Sequence, residues 1–116
     1  MNKIIILVML VLSCIACEDN KPTLTRAGIV SEDIVKEKMK FPDEVEFNGD
    51  YRGSEISENE FDVMQKFTAK NDFGVKSNYV YKIHMVYIQG EWTDKNNWSY
   101  SNLIIENSST GEQHRY

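Results

Sequence analysis

The chain has 116 residues, two cysteines, and 18 acidic against 13 basic residues, for a net charge of −5. That length holds one small domain and not two, and the acidic balance argues against a polyphosphate partner, so no nucleic acid is expected. Both cysteines fall within the first 17 residues, which leaves residues 18–116 with no disulfide, cysteine nucleophile or thiolate metal ligand.

Met1-Asn2-Lys3 is a short positive opening, and Ile4 to Leu12 then runs without a polar residue before Ser13. This layout predicts a secretion signal over residues 1–16. A spanning helix needs about 20 apolar residues to cross roughly 30 Å of hydrocarbon. Here the apolar character stops at Cys17, and Glu18-Asp19-Asn20-Lys21 is fully polar. The run closes on Ile15-Ala16-Cys17, with a thiol that an ordinary secretory signal does not need.

This segment resembles the lipobox of bacterial lipoproteins. The resemblance implies that the cysteine sulfur takes a diacylglycerol, that the peptide before it is removed and that the new amino group is acylated. Cys17 is the expected acceptor because polar chain follows it. Cys14, in Val11-Leu12-Ser13-Cys14, is the runner-up and is followed by Ile15-Ala16. Two or three acyl chains, at about 0.8 kcal/mol per buried methylene, hold a protein on a bilayer. The expected partner is therefore a membrane, and the expected location is the cell envelope, at the outer membrane or cell surface. Losing Lys3 with the signal leaves 12 basic residues against 18 acidic ones, a net charge near −6. Glu18 and Asp19 resemble the export signal of surface lipoproteins and equally an inner-membrane retention signal, which leaves the leaflet open.

Residues 17–28 read as an acylated tether, polar with Pro22 and Gly28 and without apolar periodicity. Residues 29–116 read as a single small domain. Its first element is a helix from about Ser31 to Lys40, with Ser31 as N-cap, Glu32 and Asp33 in the first turn, and Lys36, Lys38 and Lys40 near the end. Ile34, Val35 and Met39 form its apolar stripe, and Pro42 stops it.

Val45 and Phe47 alternate with Glu44 and Glu46 in a short strand, and residues 48–60 are turn-rich and acidic. From Phe61 the alternation sharpens into a half-buried strand, with Phe61, Val63, Gln65, Phe67 and Ala69 on one face and Asp62, Met64, Lys66, Thr68 and Lys70 on the other. Asn71-Asp72-Phe73-Gly74 supplies a reversal. Asn78 to Gln89 carries apolar groups on both faces and reads as a central strand, with Tyr79, Tyr81, Ile83, Met85 and Tyr87 on one side. Trp98 to Asn107 is a further strand, Ser108 to Gly111 a turn, and Glu112 to Tyr116 a short terminal strand or tail. The sum is an α+β fold, one N-terminal helix packed on an antiparallel sheet of about four strands, with one sheet face left uncovered.

Two stretches are similar to a small domain found in uncharacterised bacterial lipoproteins and phage-borne proteins. The first is Val35-Lys36, Met39-Lys40-Phe41-Pro42-Asp43 and Val45-Glu46-Phe47; the second is Ala69-Lys70-Asn71-Asp72-Phe73-Gly74 leading to Tyr79. The similarity covers about Ile34 to Ile88 and departs at Glu44-Val45 and at the acidic stretch before Phe61. It implies the helix-plus-sheet fold and no activity, and the matched residues read as turn and core chemistry.

The chemistry-bearing residues are few. His84 and His114 are the only histidines, and no HExxH, nucleophile elbow or phosphate loop occurs. Eight carboxylates lie between Asp43 and Asp62, a density that would suit a hard cation. Their spacing does not match an EF-hand, and a solvated acidic loop is the simpler reading, so no metal ligand and no cofactor is assigned. Trp92 and Trp98 flank a polar loop; if exposed together with Tyr51 and Tyr100, they form a candidate binding patch for an envelope protein or a glycan. Otherwise they cap the open end of the sheet. The leading expectation is a non-enzymatic envelope binding or structural module, with no catalytic residues. The alternative is an enzyme of low motif content using His84 with nearby carboxylates.

Overall fold

A computed structural model describes residues 20–116. The secretion signal, Cys14 and the expected acceptor Cys17 lie outside the described residues.

Helix α1 spans Leu24–Lys38. It begins seven residues before the expected Ser31, because Thr23 is the N-cap: its Oγ1 accepts a hydrogen bond from the Arg26 N–H at 3.1 Å. Ala27, Val30, Ile34 and Val35 share the buried face, so the apolar stripe starts inside the stretch read as tether. Residues 20–28 therefore belong to the fold. Gly28 is a close-approach position inside the helix rather than a breaker, since a Cβ there would overlap the ring of Tyr51. The helix closes at Lys38 with Met39 in extended backbone, and a 3₁₀ turn follows over Pro42–Glu44.

The sheet is antiparallel and has six strands: β1 (Glu46–Phe47), β2 (Arg52–Ser57), β3 (Glu60–Lys70), β4 (Lys76–Tyr87), β5 (Trp98–Asn107) and β6 (Gln113–Arg115). Their order is β1-β3-β4-β5-β6, and β2 pairs with the same edge of β3 as β1 does. The number exceeds the expected four or so because the acidic stretch contains β2. That strand is exposed along its whole length and so shows no apolar alternation. Phe47 opposes Phe67 and Arg52 opposes Met64, so residues 48–51 bulge outward against only two residues of β3.

β3 and β4 bury the alternation expected of them, with Phe61, Val63, Phe67 and Ala69 beside Tyr79, Tyr81, Ile83 and Met85. Leu103 and Ile105 of β5 complete the floor under the helix. Phe67 stacks on Tyr79 with centroids 5.3 Å apart, and Phe47 meets Tyr81 edge-on at 6.1 Å. Among the described residues only one face is covered, by α1. A helix of 15 residues is about 22 Å long, whereas the 12 residues of β4 extend about 37 Å, so α1 also falls short of the hairpin's far end.

One polar chain crosses the helix–sheet interface. Ser31 Oγ donates to the Gly28 carbonyl at 2.7 Å, which uses its single proton. The 2.7 Å contact between Ser31 and Tyr81 must then be donated by the Tyr81 hydroxyl. That hydroxyl in turn accepts from Gln65 Nε2 at 2.9 Å. Gln65 is fully buried; its Nε2 also reaches Glu32 at 3.4 Å and its Oε1 accepts from the Gly49 N–H at 2.8 Å. Tyr51 closes the chain by donating to Glu32 at 2.9 Å.

Burial pushes the Tyr81 phenol up to about 12, and burial followed by the Glu32 contact holds Tyr51 well above the ordinary phenol range. In the unfolded chain Tyr81 ionises near its ordinary value of 10.0. The folded chain therefore holds more protons between these values, and stability present below about pH 10 is lost as the pH rises toward 12. We expect Tyr81→Phe to destabilise the domain by about 1–3 kcal/mol at neutral pH, because Gln65 loses a buried acceptor. Urea unfolding as a function of pH should also show a shallower alkaline decline in the variant than in the parent; equal slopes would mean that Tyr81 is not the titrating group.

Candidate functional site

The four aromatic residues of the expected patch do not share one exposed face. Trp98 is buried, its indole Nε1 donates to the Trp92 carbonyl at 2.8 Å, and its ring meets Tyr87 edge-on at 5.3 Å. Trp92 is half-buried against the core with the Arg26 guanidinium 4.9 Å over its ring. The two tryptophans cap the end of the sheet. Tyr51 lies across α1 at Gly28, and Tyr100 is on β5, with β3 and β4 between its strand and the edge that carries Tyr51. Of the four, Tyr100 alone is classed as exposed, and the Lys38 ammonium lies 5.9 Å from its ring centroid.

His84 lies on the uncovered sheet face between two acids. Its Nδ1 is 2.8 Å from Asp62 Oδ1 and its Nε2 is 3.4 Å from Glu60 Oε2. The carboxylates engage opposite ring nitrogens and so hold the imidazole in place. Their side chains are 43% and 55% exposed, which leaves neither acid the burial a general acid needs. His114 is at the chain's end beside Glu112, 3.3 Å away. Among the described residues no three His, Cys, Asp or Glu side chains are grouped to hold a metal ion. The acids of residues 43–62 do not converge: Asp50 pairs with Arg52 and Glu46 with Lys76 in exposed contacts, while Glu60 and Asp62 lie on β3 beside His84.

A concavity that the sequence does not announce lies at the far end of the helix. It opens where α1 ends short of the sheet, encloses about 330 Å³, and lies between Lys38, Met39 and Lys40, the β3–β4 hairpin and the β5–β6 hairpin. Tyr79 and Ile105 form its apolar floor. Burial holds the Tyr79 phenol above its ordinary range. On one wall the Lys38 ammonium sits 5.6 Å from the Tyr116 ring centroid, and on another Lys40 reaches the Asp72 carbonyl at 3.4 Å. Its volume falls within the range of small-ligand and peptide-anchor pockets, and its rim mixes lysines with Asp72, Glu112 and His114.

Phe73 stands on the rim of this cleft and is 91% exposed. The hairpin that carries it is held by Asn71, whose Oδ1 accepts from the N–H groups of Phe73 and Val75 at 2.9 and 3.0 Å. Gly74 adopts the left-handed backbone that the turn requires, at φ 75°. Asn71 and Gly74 thus hold the turn, and among the described residues the Phe73 ring is left almost fully exposed. Val75 beside it is 58% exposed. The Asn-Asp-Phe-Gly stretch forms the expected turn, with Asp72 and Phe73 at its centre and Phe73 contributing no core packing.

No protein-family model, no curated protein and no solved structure matches the chain.

The His84 cluster has the exposure of a surface ion pair, whose contribution to stability is small. His84→Gln should shift the urea midpoint by less than about 1 kcal/mol equivalent. A loss several times larger would show that the imidazole organises the open face.

Proposed function

We propose that the chain is an acyl-anchored cell-envelope protein whose single α+β domain binds a partner through Phe73 and the adjoining cleft, without catalysis. The observation that carries the binding reading is Phe73: a large apolar ring 91% exposed on a hairpin whose turn does not need it. Aromatic side chains on rigid supports are the usual anchors of protein interfaces, since they bury a large area at little entropic cost. The neighbouring Val75 and the Tyr79–Ile105 floor favour a protein partner with an apolar segment. A glycan, the other class of envelope ligand, would stack on Phe73 and take its polar contacts from rim residues such as Asn71, Asp72, Asn107 and Glu112.

The anchor half of the reading rests on Ile15-Ala16-Cys17 at the end of an apolar run and on the polar residues that follow. A second reading, an envelope enzyme, is favoured by the Asp62–His84 contact at 2.8 Å. The exposure of both acids weighs against it, and a His84→Gln variant that abolished turnover of an envelope substrate would restore it.

Growth with a fatty-acid analogue should label the full chain, and Cys17→Ser should abolish the label; loss only in Cys14→Ser would move the acceptor. A photo-crosslinking residue at Phe73 should give a discrete protein adduct in intact envelopes, and the adduct should disappear when Lys38 and Tyr79 are replaced together by Ala. An adduct carrying glycan would reassign the partner class, and no adduct at all would remove the binding reading.

A further inference from the structure

The first described residues are clamped, not loose. Asn20 Nδ2 donates to the Gly90 carbonyl at 2.6 Å, and its Oδ1 accepts from the Trp92 N–H at 3.0 Å, across 70 residues of sequence. The same Gly90 carbonyl accepts the Tyr87 hydroxyl. Arg26 ties the next residue down by donating to the Lys21 carbonyl at 2.7 Å while its guanidinium covers Trp92. Asn20 is thus bound to the loop that follows β4, and Lys21 to Arg26 of α1, whose guanidinium covers Trp92 of that loop.

Only Glu18 and Asp19 separate Asn20 from Cys17. Three residue steps, even fully extended, reach at most about 11 Å. From this we propose that the end of the domain formed by residues 88–92 faces the bilayer directly, with the rest of the sheet projecting away from it; the proposal rests on the acyl anchor at Cys17. An acyl-bearing residue sits at the lipid surface, so Asn20 and its partners Gly90 and Trp92 lie within that short reach of the headgroups.

The chemistry of this end suits an interfacial position. Ile88, next to the clamp, is 57% exposed. Ile56 is also exposed, and it belongs to the same end of the sheet: Ser57 opposes Glu60, and Tyr87 N–H donates to the Asn59 carbonyl at 2.8 Å. Trp92 carries an aromatic ring with a cation above it, a pairing at home near headgroups. Phe73 lies beyond the opposite end of β4, about 37 Å along the strand. The acyl anchor and the proposed partner site then occupy opposite ends of one rigid hairpin.

The test uses the full acylated protein reconstituted in phospholipid vesicles. Once the signal is cut before Cys17 and Cys17 is acylated, the chain has no free thiol, so Ile88→Cys and Phe73→Cys can each take a single fluorophore. With a quencher carried on the lipid headgroups, the label at position 88 should be quenched and the label at 73 should not. Several Gly-Ser repeats inserted between Asp19 and Asn20 should relieve the quenching at 88 while leaving the protein on the vesicles. Equal quenching at both positions, or quenching at 73 alone, overturns the orientation. A purified chain that carries no acyl group and does not join vesicles overturns the anchor reading itself, an outcome separable from the first by mass spectrometry.

Discussion

The hydroxyl of Tyr81 is the point at which helix, central strand and edge bulge are fastened together. It donates to Ser31 on α1 and accepts from Gln65 on β3, while Gln65 takes the Gly49 N–H of the bulge. Apolar packing alone would let a helix slide along a sheet, because hydrophobic burial is not directional. A buried hydrogen-bond chain admits one registry, since any slip would strand Gln65 or Ser31 without a partner in a dry interior. No buried side-chain nitrogen or oxygen among the described residues lacks a partner, so the specificity comes with no unpaired group. The bare face of Gly28 lets the Tyr51 ring lie against the helix, which brings its hydroxyl to Glu32 and completes the chain.

Fixing the helix in that registry determines where the sheet is left bare. With Ser31 held opposite Tyr81, the helix has only two more turns before Lys38, while β3 and β4 run on to Lys70 and Lys76. The uncovered stretch becomes the cleft over Tyr79 and Ile105. Lys38 and Lys40 on its rim come from the helix's last turn and just beyond, positions that the helix dipole favours for cations, and Lys70 joins them from β3. A feature that serves helix stability thus also lends the cleft rim part of its charge.

Much of this was legible in the sequence, and the failures are instructive. The period-two runs from Phe61 and from Tyr79 located β3 and β4 and their buried faces correctly, because half-buried strands impose strict alternation. Ser31 misled because a serine that donates to the carbonyl three residues back fits mid-helix as well as it fits an N-cap. Gly28 misled because its packing role depends on Tyr51, a contact that no local pattern announces. β2 was missed because an edge strand exposed on both faces has no apolar period. The pairing of His84 with Asp62 was within reach: a hairpin closed between Lys70 and Lys76 sets the register, and counting back from the turn puts Asp62 opposite His84. Phe73 is part of the turn that the sequence indicates; the exposure of its ring is a property of the assembled fold, which no local pattern announces.

The two ends of the hairpin differ in kind. At one, hydrogen bonds of Asn20, Arg26 and Tyr87 and a cation–ring contact hold residues 20 and 21 and the 88–92 loop to the fold. At the other, the Asn71 side chain rigidifies a turn whose most prominent group, Phe73, touches none of the core. A solitary exposed apolar side chain is ordinary on a protein surface. Phe73 is less ordinary because it is nearly fully exposed, rigidly supported, next to Val75 and beside a cleft with an apolar floor. The rigid turn lowers the backbone entropy that packing another molecule on Phe73 would cost, and Val75 with the cleft floor offers further apolar area beside it.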